Sequence, residues 1–181
     1  LTPQIELYDK TCGIFGLGAI GFAFAKMAQG FGMRVISYSR HKKTDPKYDF
    51  IEQVDFDTLL AESDVISIHA PLTPSTEDTF DADAFAKMKD GTILINTARG
   101  GLIVEEALVD ALQSGKVYGA GLDVIRDEPP KGDNPLLHQD NAAITAHIAW
   151  LTRASRLRAI DIAIDNFKAY LRGEPVSVIN K

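Results

Sequence analysis

Residues Gly13–Ala28, GIFGLGAIGFAFAKMA, join a short apolar run to a helix-like segment through a glycine-rich loop. Gly16, Gly18 and Gly21 fit the pattern G-x-G-x-x-G, which is typical of dinucleotide-binding loops when it follows a strand and opens a helix. In such loops the three glycines allow, in order, a tight turn, close approach of a pyrophosphate, and close helix–strand packing. The stretch therefore predicts a dinucleotide site, and a purely structural strand–turn–helix is the alternative. The predicted phosphate-binding residues are Gly16, Leu17, Gly18, Ala19, Ile20 and Gly21.

Strand-like and helix-like runs alternate along the rest of the chain. Strands are predicted at Thr11–Phe15, Arg34–Tyr38, Val65–His69, Thr92–Asn96, Val117–Val124 and Ala142–Thr145. Helices are predicted at Ala19–Phe31, Asp57–Glu62, Asp81–Met88, Val104–Ser114 and Thr152–Arg172. The strands lack strict apolar–polar alternation, so we expect an α/β fold, a Rossmann-type doubly wound parallel sheet with helices on both faces. The first helix places one apolar stripe at Ile20, Ala23, Phe24, Met27, Ala28 and Phe31.

The composition excludes several classes of protein. The 181 residues are 45% hydrophobic and 24% charged, which is ordinary for a globular chain. A net charge of −6 argues against nucleic acid as the main partner. No apolar run approaches the roughly 20 residues that span a bilayer, and no metal site or membrane partner is predicted. Cys12 lies in a strand that is predicted to be buried, so we expect an inert core thiol. Because it is the single cysteine, it cannot form an internal disulfide, and we expect a cytoplasmic location.

The end of the second predicted strand bears on the choice of dinucleotide. NAD sites usually place an acidic residue there, about 20 residues after the glycines, to bind the ribose 2′-hydroxyl. Here the sequence is YSRHKK, residues 38–43, with no acid. Ser39 can hydrogen-bond a 2′-phosphate and Arg40 can pair with it, so the segment favours NADP over NAD. A solvated basic turn is the alternative.

Polar residues follow several other predicted strands. In an open parallel sheet, ligands bind outside the carboxyl ends of the strands, so these residues are expected to converge on one edge. Each also has a plainer interpretation as a loop cap, a satisfied polar residue or a surface acid. The candidates are His69, Arg99, Asp123, Glu128 and His147.

The ordered segments GLGAIG, HAPLTPST, INTARGGLI, GAGLDV, DEPP and ITAHIAW resemble the D-isomer-specific 2-hydroxyacid dehydrogenase family. The resemblance extends from about Leu7 to the C-terminus and is greatest to glycerate dehydrogenase and glyoxylate/hydroxypyruvate reductase members. It implies hydride transfer between NAD(P)H and a small 2-keto or D-2-hydroxy acid such as hydroxypyruvate or glyoxylate, in a homodimer. A dinucleotide-sensing corepressor of the same fold and a phosphoglycerate dehydrogenase are the alternatives.

The resemblance also implies roles for individual residues. Arg99 would pair with the substrate carboxylate and carbonyl oxygen, His147 would be the general acid and base, and Glu128 its carboxylate partner. Asp123 would hold the nicotinamide carboxamide or otherwise order the site. Further cofactor contacts are expected from His69, Ala70, Pro71, Thr76, Thr97 and Ala98, as well as from Arg99 and His147.

The sequence departs from the family pattern at two positions and in its extent. Ala146 stands where the family usually has a proline before the histidine. Val104 stands where an acid often follows the NTARGG stretch. The resemblance implies a dinucleotide-binding domain at residues 7–150. Residues 151–181 would form a helix and tail that return toward a substrate-binding domain, largely absent because its N-terminal part is missing. We therefore expect the isolated chain to bind cofactor but to turn over poorly. The return helix carries an apolar stripe at Ile160, Ala163, Ile164, Phe167 and Leu171.

Overall fold

A computed structural model describes residues 4–179 and divides the chain into two compact units, residues 1–146 and 147–181. The first unit is built on a seven-stranded parallel sheet of order β3-β2-β1-β4-β5-β6-β7. The strands are β1 Thr11–Phe15, β2 Arg34–Tyr38, β3 Glu52–Gln53, β4 Val65–Ile68, β5 Thr92–Asn96, β6 Val117–Leu122 and β7 Ala142–Ile144. The predicted parallel α/β fold is confirmed.

Five α-helices are described. They are α1 Ala19–Gly30, α2 Phe56–Glu62, α3 Ala82–Lys87, α4 Glu105–Gln113 and α5 Arg153–Leu171. Side chains cap three of them: Asp55 accepts from the Thr58 N–H, Asp81 from the Ala84 N–H, and Thr152 from the Ser155 N–H. Because a cap residue is itself non-helical, α3 and α5 begin one residue later than the sequence predicts.

The predicted bounds are otherwise wrong by one or two residues at several element ends. The strand predicted to end at His69 ends at Ile68, and the one predicted to end at Val124 ends at Leu122. Strand β3 was not predicted, because two polar residues carry no apolar signal. It pairs with the outer edge of β2, where Ile36 lies opposite Glu52.

The sheet separates two apolar clusters, one on each face. The smaller cluster comprises Cys12, Ile14, Leu17, Ala25, Ala28, Val35 and Ile51, and the larger lies under α2, α3 and α4. Burial raises the pKa of the Cys12 thiol to about 12. The prediction of an inert core thiol at Cys12 is confirmed, since a thiol that stays protonated is a poor nucleophile.

Helix α1 packs on the sheet through a face that only partly matches the one the apolar stripe predicts. Its buried residues are Gly21, Ala25 and Ala28. Of the predicted stripe, Ile20, Met27 and Phe31 are 71%, 57% and 61% exposed, whereas Ala28 is buried and Phe24 is half-buried against the smaller apolar cluster. The stripe therefore coincides with the buried face only in part. Small residues form the buried face because Gly21 brings the helix backbone against β1, which leaves little space for large side chains at this contact.

The second unit consists of the segment after residue 146, helix α5 and a C-terminal tail. Ala169 is buried, whereas the apolar stripe of α5 is exposed at Ile160, Ala163, Ile164, Phe167 and Leu171. Among residues 4–179, no helix is long and apolar enough to cross a membrane. The predicted domain boundary near residue 150 stays a prediction.

Candidate functional site

The glycine loop, residues 16–21, follows the carboxyl end of β1. Strand β1 lies between β2 and β4. The chain first adds β2 and β3 on one side of β1 and then crosses to add β4 on its other side, so the strand order reverses at β1. Ligands bind at such a reversal of strand order in open α/β sheets. The fold thus places the loop at the switch point before any side chain is considered.

Gly16 and Gly21 are required by local geometry. Gly16 has φ +100°, and a Cβ there would lie 2.7 Å from the Ala70 nitrogen. A Cβ on Gly21 would lie 2.3 Å from the Gly16 carbonyl oxygen. The loop backbone therefore packs directly against the β4 end and against itself, with no space for a methyl group at either position.

Gly18 differs from both, because its surroundings are open. It is the N-cap of α1, and no heavy atom lies within 4 Å of the position its Cβ would take. No side chain caps the first turn of this helix. A helix N-terminus with uncapped N–H groups and open space above a glycine fits the pyrophosphate of a dinucleotide.

Ser39 connects the glycine loop to the end of β2. Its Oγ accepts a hydrogen bond from the Leu17 N–H at 2.8 Å. The hydroxyl keeps its own hydrogen and one lone pair for a ligand. The Leu17 N–H is therefore bonded within the protein, and Leu17 itself is buried. Its predicted contact with a cofactor stays a prediction.

Gln53 holds the basic loop, residues 39–43, in place. Its side-chain amide accepts from the Lys43 N–H at 2.6 Å and donates to the Lys43 carbonyl at 2.7 Å. A side-chain amide that bonds both the N–H and the carbonyl of one residue fixes the backbone on both sides of that residue. Arg40, three residues earlier, is exposed at the end of this held segment.

A cleft of about 350 Å³ opens beside Ser39 and Arg40. It brings together six of the predicted cofactor residues: Gly16, Ser39, Arg40, Ala70, Pro71 and Thr76. Six further lining residues were not predicted: Phe15, Tyr38, Phe56, Thr73, Ser75 and Thr79. The hydroxyl residues follow the HAP segment directly, and their density in LTPSTEDT is the signal that could have found them.

His69 is half-buried near the glycine loop and is held by two side chains. Its Nε2 lies 2.9 Å from the Ser67 Oγ, and its ring centroid lies 5.3 Å from that of Phe24. Burial lowers the pKa of His69 to about 4, so the ring is neutral near pH 7. A neutral ring is compatible with the predicted cofactor contact of His69, which stays a prediction.

Arg99 is exposed in a loop that Asn96 organises. The Asn96 side chain accepts from the Ala98 N–H and donates to the Arg99 carbonyl, both at 2.9 Å. The Arg99 guanidinium donates to the Ala98 carbonyl at 2.6 Å. Asn96 is fully buried at the end of β5, so it fixes the loop while Thr97 and Arg99 face solvent.

Asp123 and Glu128 lie on the segment that follows β6. Asp123 is 5% exposed, and its Oδ1 accepts from the Thr145 hydroxyl at 2.5 Å. Glu128 is exposed, and its Oε1 accepts from the Ile125 N–H at 3.1 Å. Thr145 and Ile125 were not predicted as supporting residues, because the spacing of residues along the sequence does not show which hydrogen bonds form across a loop or between strands.

His147 is the first residue of the second unit. It is half-buried, and its φ of +55° places a non-glycine residue in the left-handed region. Such a conformation costs energy and is found disproportionately at functional sites. Among residues 4–179, no group of three or more His, Cys, Asp or Glu side chains is arranged to hold a metal ion.

The fold and the glycine loop define a dinucleotide-binding domain of the Rossmann type. Residues 2–149 match the family described as D-isomer specific 2-hydroxyacid dehydrogenase, NAD binding domain. The chain belongs to this family, and the domain binds a nicotinamide dinucleotide.

Three relatives illustrate the similarity. A hydroxypyruvate reductase of Blautia hydrogenotrophica is 51% identical over 99% of this chain and 56% of its own length. A glyoxylate reductase from Paecilomyes thermophila superposes with a TM-score of 0.87 at 40% identity, over 93% of this chain and 51% of its own. A D-lactate dehydrogenase from Lactobacillus jensenii, solved with NAD⁺, superposes with a TM-score of 0.90 at 34% identity, over 99% of this chain and 58% of its own. The chain spans little more than half of each relative.

Proposed function

We propose that the protein is an oxidoreductase that reduces a small 2-keto acid to a D-2-hydroxy acid with NAD(P)H. The observation that carries the proposal is that two candidate loops lie at the same edge of the sheet, where the parallel strands end. The open glycine loop follows β1, and the loop that Asn96 holds presents Arg99 after β5, two strands away on the same edge. The names of the relatives, hydroxypyruvate reductase and glyoxylate reductase, support the class of substrate.

The proposed roles divide the reaction between binding the anion and moving a proton. Arg99 binds the substrate carboxylate through its planar guanidinium, which suits bidentate pairing, and orients the carbonyl oxygen. His147 holds a proton on its imidazole and donates it to that oxygen; in the oxidative direction it accepts the proton back. Glu128 is the carboxylate partner that the family resemblance implies for this histidine. A bound reduced nicotinamide supplies the hydride.

The remaining proposed contacts belong to the cofactor. Residues 16–21 bind the phosphates, and Ser39 and Arg40 bind the adenosine ribose. Asp123 orders the nicotinamide end, where burial and the Thr145 hydrogen bond restrict its carboxylate to one position. The other proposed contacts are His69, Ala70, Pro71, Thr76, Thr97, Ala98, Arg99 and His147.

A substrate panel tests the reaction class. The intact protein that carries this chain is assayed with glyoxylate, hydroxypyruvate and 3-phosphohydroxypyruvate, following oxidation of the reduced nicotinamide. We expect turnover of the first two and a lower kcat/KM for the third. Preference for the phosphorylated acid would indicate a phosphoglycerate dehydrogenase. Tight cofactor binding with no turnover of any acid would indicate a dinucleotide-sensing protein.

NADP is the proposed cofactor, because Ser39 and Arg40 line the cleft after the end of β2 and no acid is present at residues 38–43. We expect NADPH to bind more tightly than NADH in a fluorescence titration. Arg40→Gln is expected to weaken NADPH binding by about tenfold, because a charge-assisted hydrogen bond is lost, and to leave NADH within about twofold.

Lys47→Gln is the matched control for Arg40→Gln. Lys47 pairs with Asp45 at 3.1 Å, outside the cleft, so its loss removes the same charge without touching the site. NADH binding that is tighter than NADPH binding by tenfold would refute the assignment of Ser39 and Arg40.

A homodimer is proposed on the basis of the exposed face of α1. Ile20 and Met27 on this helix and Phe31 at its C-cap are each more than half exposed. Exposed apolar patches commonly mark an interface. Met27→Glu is expected to convert a dimer into a monomer in sedimentation experiments, because a carboxylate cannot be buried there unpaired. Gln29→Glu, on the other side of α1, should leave the dimer intact; a monomeric parent protein would exclude the interface.

A cytoplasmic location forms part of the proposal and is supported by the single, fully buried cysteine. The proposed partner is a small 2-keto or 2-hydroxy acid. A nucleic-acid or membrane partner is not proposed, given the net charge of −6 and the lack of an apolar run long enough to span a bilayer.

A further inference from the structure

Arg126, two residues before Glu128, contacts several segments that follow strands of the sheet. Its backbone N–H donates to the Glu105 Oε1 at 2.7 Å. Its Nη2 donates to the Ile103 carbonyl at 3.2 Å and also to the Asp78 carboxylate. A second, longer ion pair joins its Nη1 to Glu77 at 3.7 Å. One side chain thus connects the loop after β6 to the turn after β4 and to the segment between β5 and α4.

The Ile125–Arg126 peptide is seated on Gly100, the residue after Arg99. A Cβ on Gly100 would lie 2.0 Å from the carbonyl carbon and oxygen of Ile125. The N–H of Ile125 in turn donates to the Glu128 carboxylate at 3.1 Å. Ile125 therefore contacts both sides: its N–H binds the Glu128 carboxylate, and its carbonyl, in the next peptide group, packs against Gly100. Arg126, the following residue, is held through its own backbone N–H and its side chain.

Asp78 is fixed independently of Arg126. Its φ of +53° is a left-handed conformation that aspartate tolerates better than most residues, and its N–H donates to the Gly101 carbonyl at 2.9 Å. The Asp78 carboxylate is consequently attached, through Gly101, to the same short segment that carries Arg99. The contact of Gly100 with Ile125 is one connection between this segment and the loop that carries Glu128, and the ion pair of Arg126 with Asp78 is a second.

We propose that Arg126 is a positioning residue for the reaction: through Asp78 and the Ile103 carbonyl it holds the neighbouring residue Ile125, and with it the Glu128 carboxylate, in a fixed position relative to the Arg99 loop. The inference rests on the proposed function, because Glu128 matters only if a 2-keto acid is reduced at this edge. Arg126 does not need to touch substrate or cofactor in this role.

The exposure of the ion pair separates positioning from stability. The Arg126 and Asp78 side chains are 39% and 48% exposed, and exposed ion pairs contribute little to the free energy of unfolding. Loss of Arg126 should therefore leave the melting temperature nearly unchanged. A misplaced carboxylate, in contrast, lowers the rate directly, because reaction rates are sensitive to displacements of about 1 Å.

The test compares Arg126→Gln with the parent enzyme in steady-state kinetics on glyoxylate. We expect kcat to fall roughly tenfold while the KM for the nicotinamide cofactor changes less than twofold.

A double-mutant cycle with Asp78→Asn tests whether the effect passes through Asp78. Asparagine keeps the left-handed backbone and removes the charge. If Arg126 acts through this contact, Arg126→Gln should cost less in the Asp78→Asn background than alone. Arg126→Lys, which keeps one charge but not the fork, should recover part of kcat.

Lys116→Gln is the matched control, since it removes a surface cation paired with Asp90 at 2.8 Å before the amino-terminal ends of β5 and β6. It should leave kcat and the cofactor KM unchanged. An Arg126→Gln enzyme with the parental kcat would overturn the inference, as would a loss of kcat that is accompanied by a large fall in melting temperature. A parent protein that reduces no 2-keto acid would instead overturn the proposed function, and the two failures are thereby distinguished.

Discussion

Glutamine at position 147 is expected to lower kcat for 2-keto acid reduction by about 10³-fold, because it removes the proposed proton donor. The cofactor dissociation constant should change by less than about threefold, since glutamine keeps the size and polarity of the ring. The strained backbone of His147, at φ +55°, supports this assignment, because such strain is retained where a side chain must be presented in one orientation. The measurement is single-turnover reduction of glyoxylate at saturating cofactor.

Arg99→Gln is expected to affect the same reaction differently. It should raise the KM for the keto acid and lower kcat/KM by roughly 10³-fold, because a bidentate carboxylate contact and the orientation of the carbonyl are lost together. Asn96 fixes the loop through both the oxygen and the nitrogen of its side-chain amide, so shortening the Arg99 side chain should not alter the backbone.

Two controls match these substitutions in chemistry. His138→Gln replaces an exposed histidine that pairs with Asp133, and Arg34→Gln replaces an arginine that pairs with Glu52 and Glu62 at the start of β2. Both should keep kcat/KM within about twofold. If the His147 variant retained more than a tenth of the parent kcat, the proposed proton transfer would be wrong.

Valine at Gly21 is expected to lower the free energy of unfolding by about 3 kcal/mol and to abolish dinucleotide binding. Its Cβ would meet the Gly16 carbonyl oxygen at 2.3 Å, so α1 must move away from β1. Gly16→Ala should be comparably damaging, because it combines φ +100° with backbone contacts below 3 Å. Denaturant unfolding monitored by circular dichroism measures the loss.

Gly18→Ala separates binding from folding. The space around Gly18 is open, so alanine there should cost less than about 1 kcal/mol of stability, mostly through poorer capping of α1. Its methyl group would nevertheless occupy the approach to the helix N-terminus and should weaken cofactor binding at least tenfold. Gly30→Ala, at the open C-terminal end of the same helix, should leave binding unchanged and slightly stabilise the protein. Unimpaired binding by the Gly18 variant would contradict the assigned pyrophosphate position.

Much of the fold could be read from local patterns. Continuous apolar runs, and glycines placed between a strand and a helix, constrain the backbone within a few residues, so the order of elements and the parallel sheet were predicted correctly. The short strand Glu52–Gln53 escaped prediction because its pairing partner, not its own composition, makes it a strand. The apolar stripe of α1 predicted its buried face only in part, because the close approach of the helix to β1 at Gly21 favours small residues at the contact.

The sequence by itself determined the class of fold, the site of the glycine loop and the family, because each depends on residues that are neighbours along the chain or on a set of motifs in fixed order. Only the tertiary structure revealed what holds the candidate residues in place. Ser39 reaches Leu17 across 22 positions, Thr145 reaches Asp123 across 22, and Arg126 reaches Asp78 across 48. These contacts depend on which strand ends meet at one edge of the sheet, and that adjacency exists only after the chain has folded.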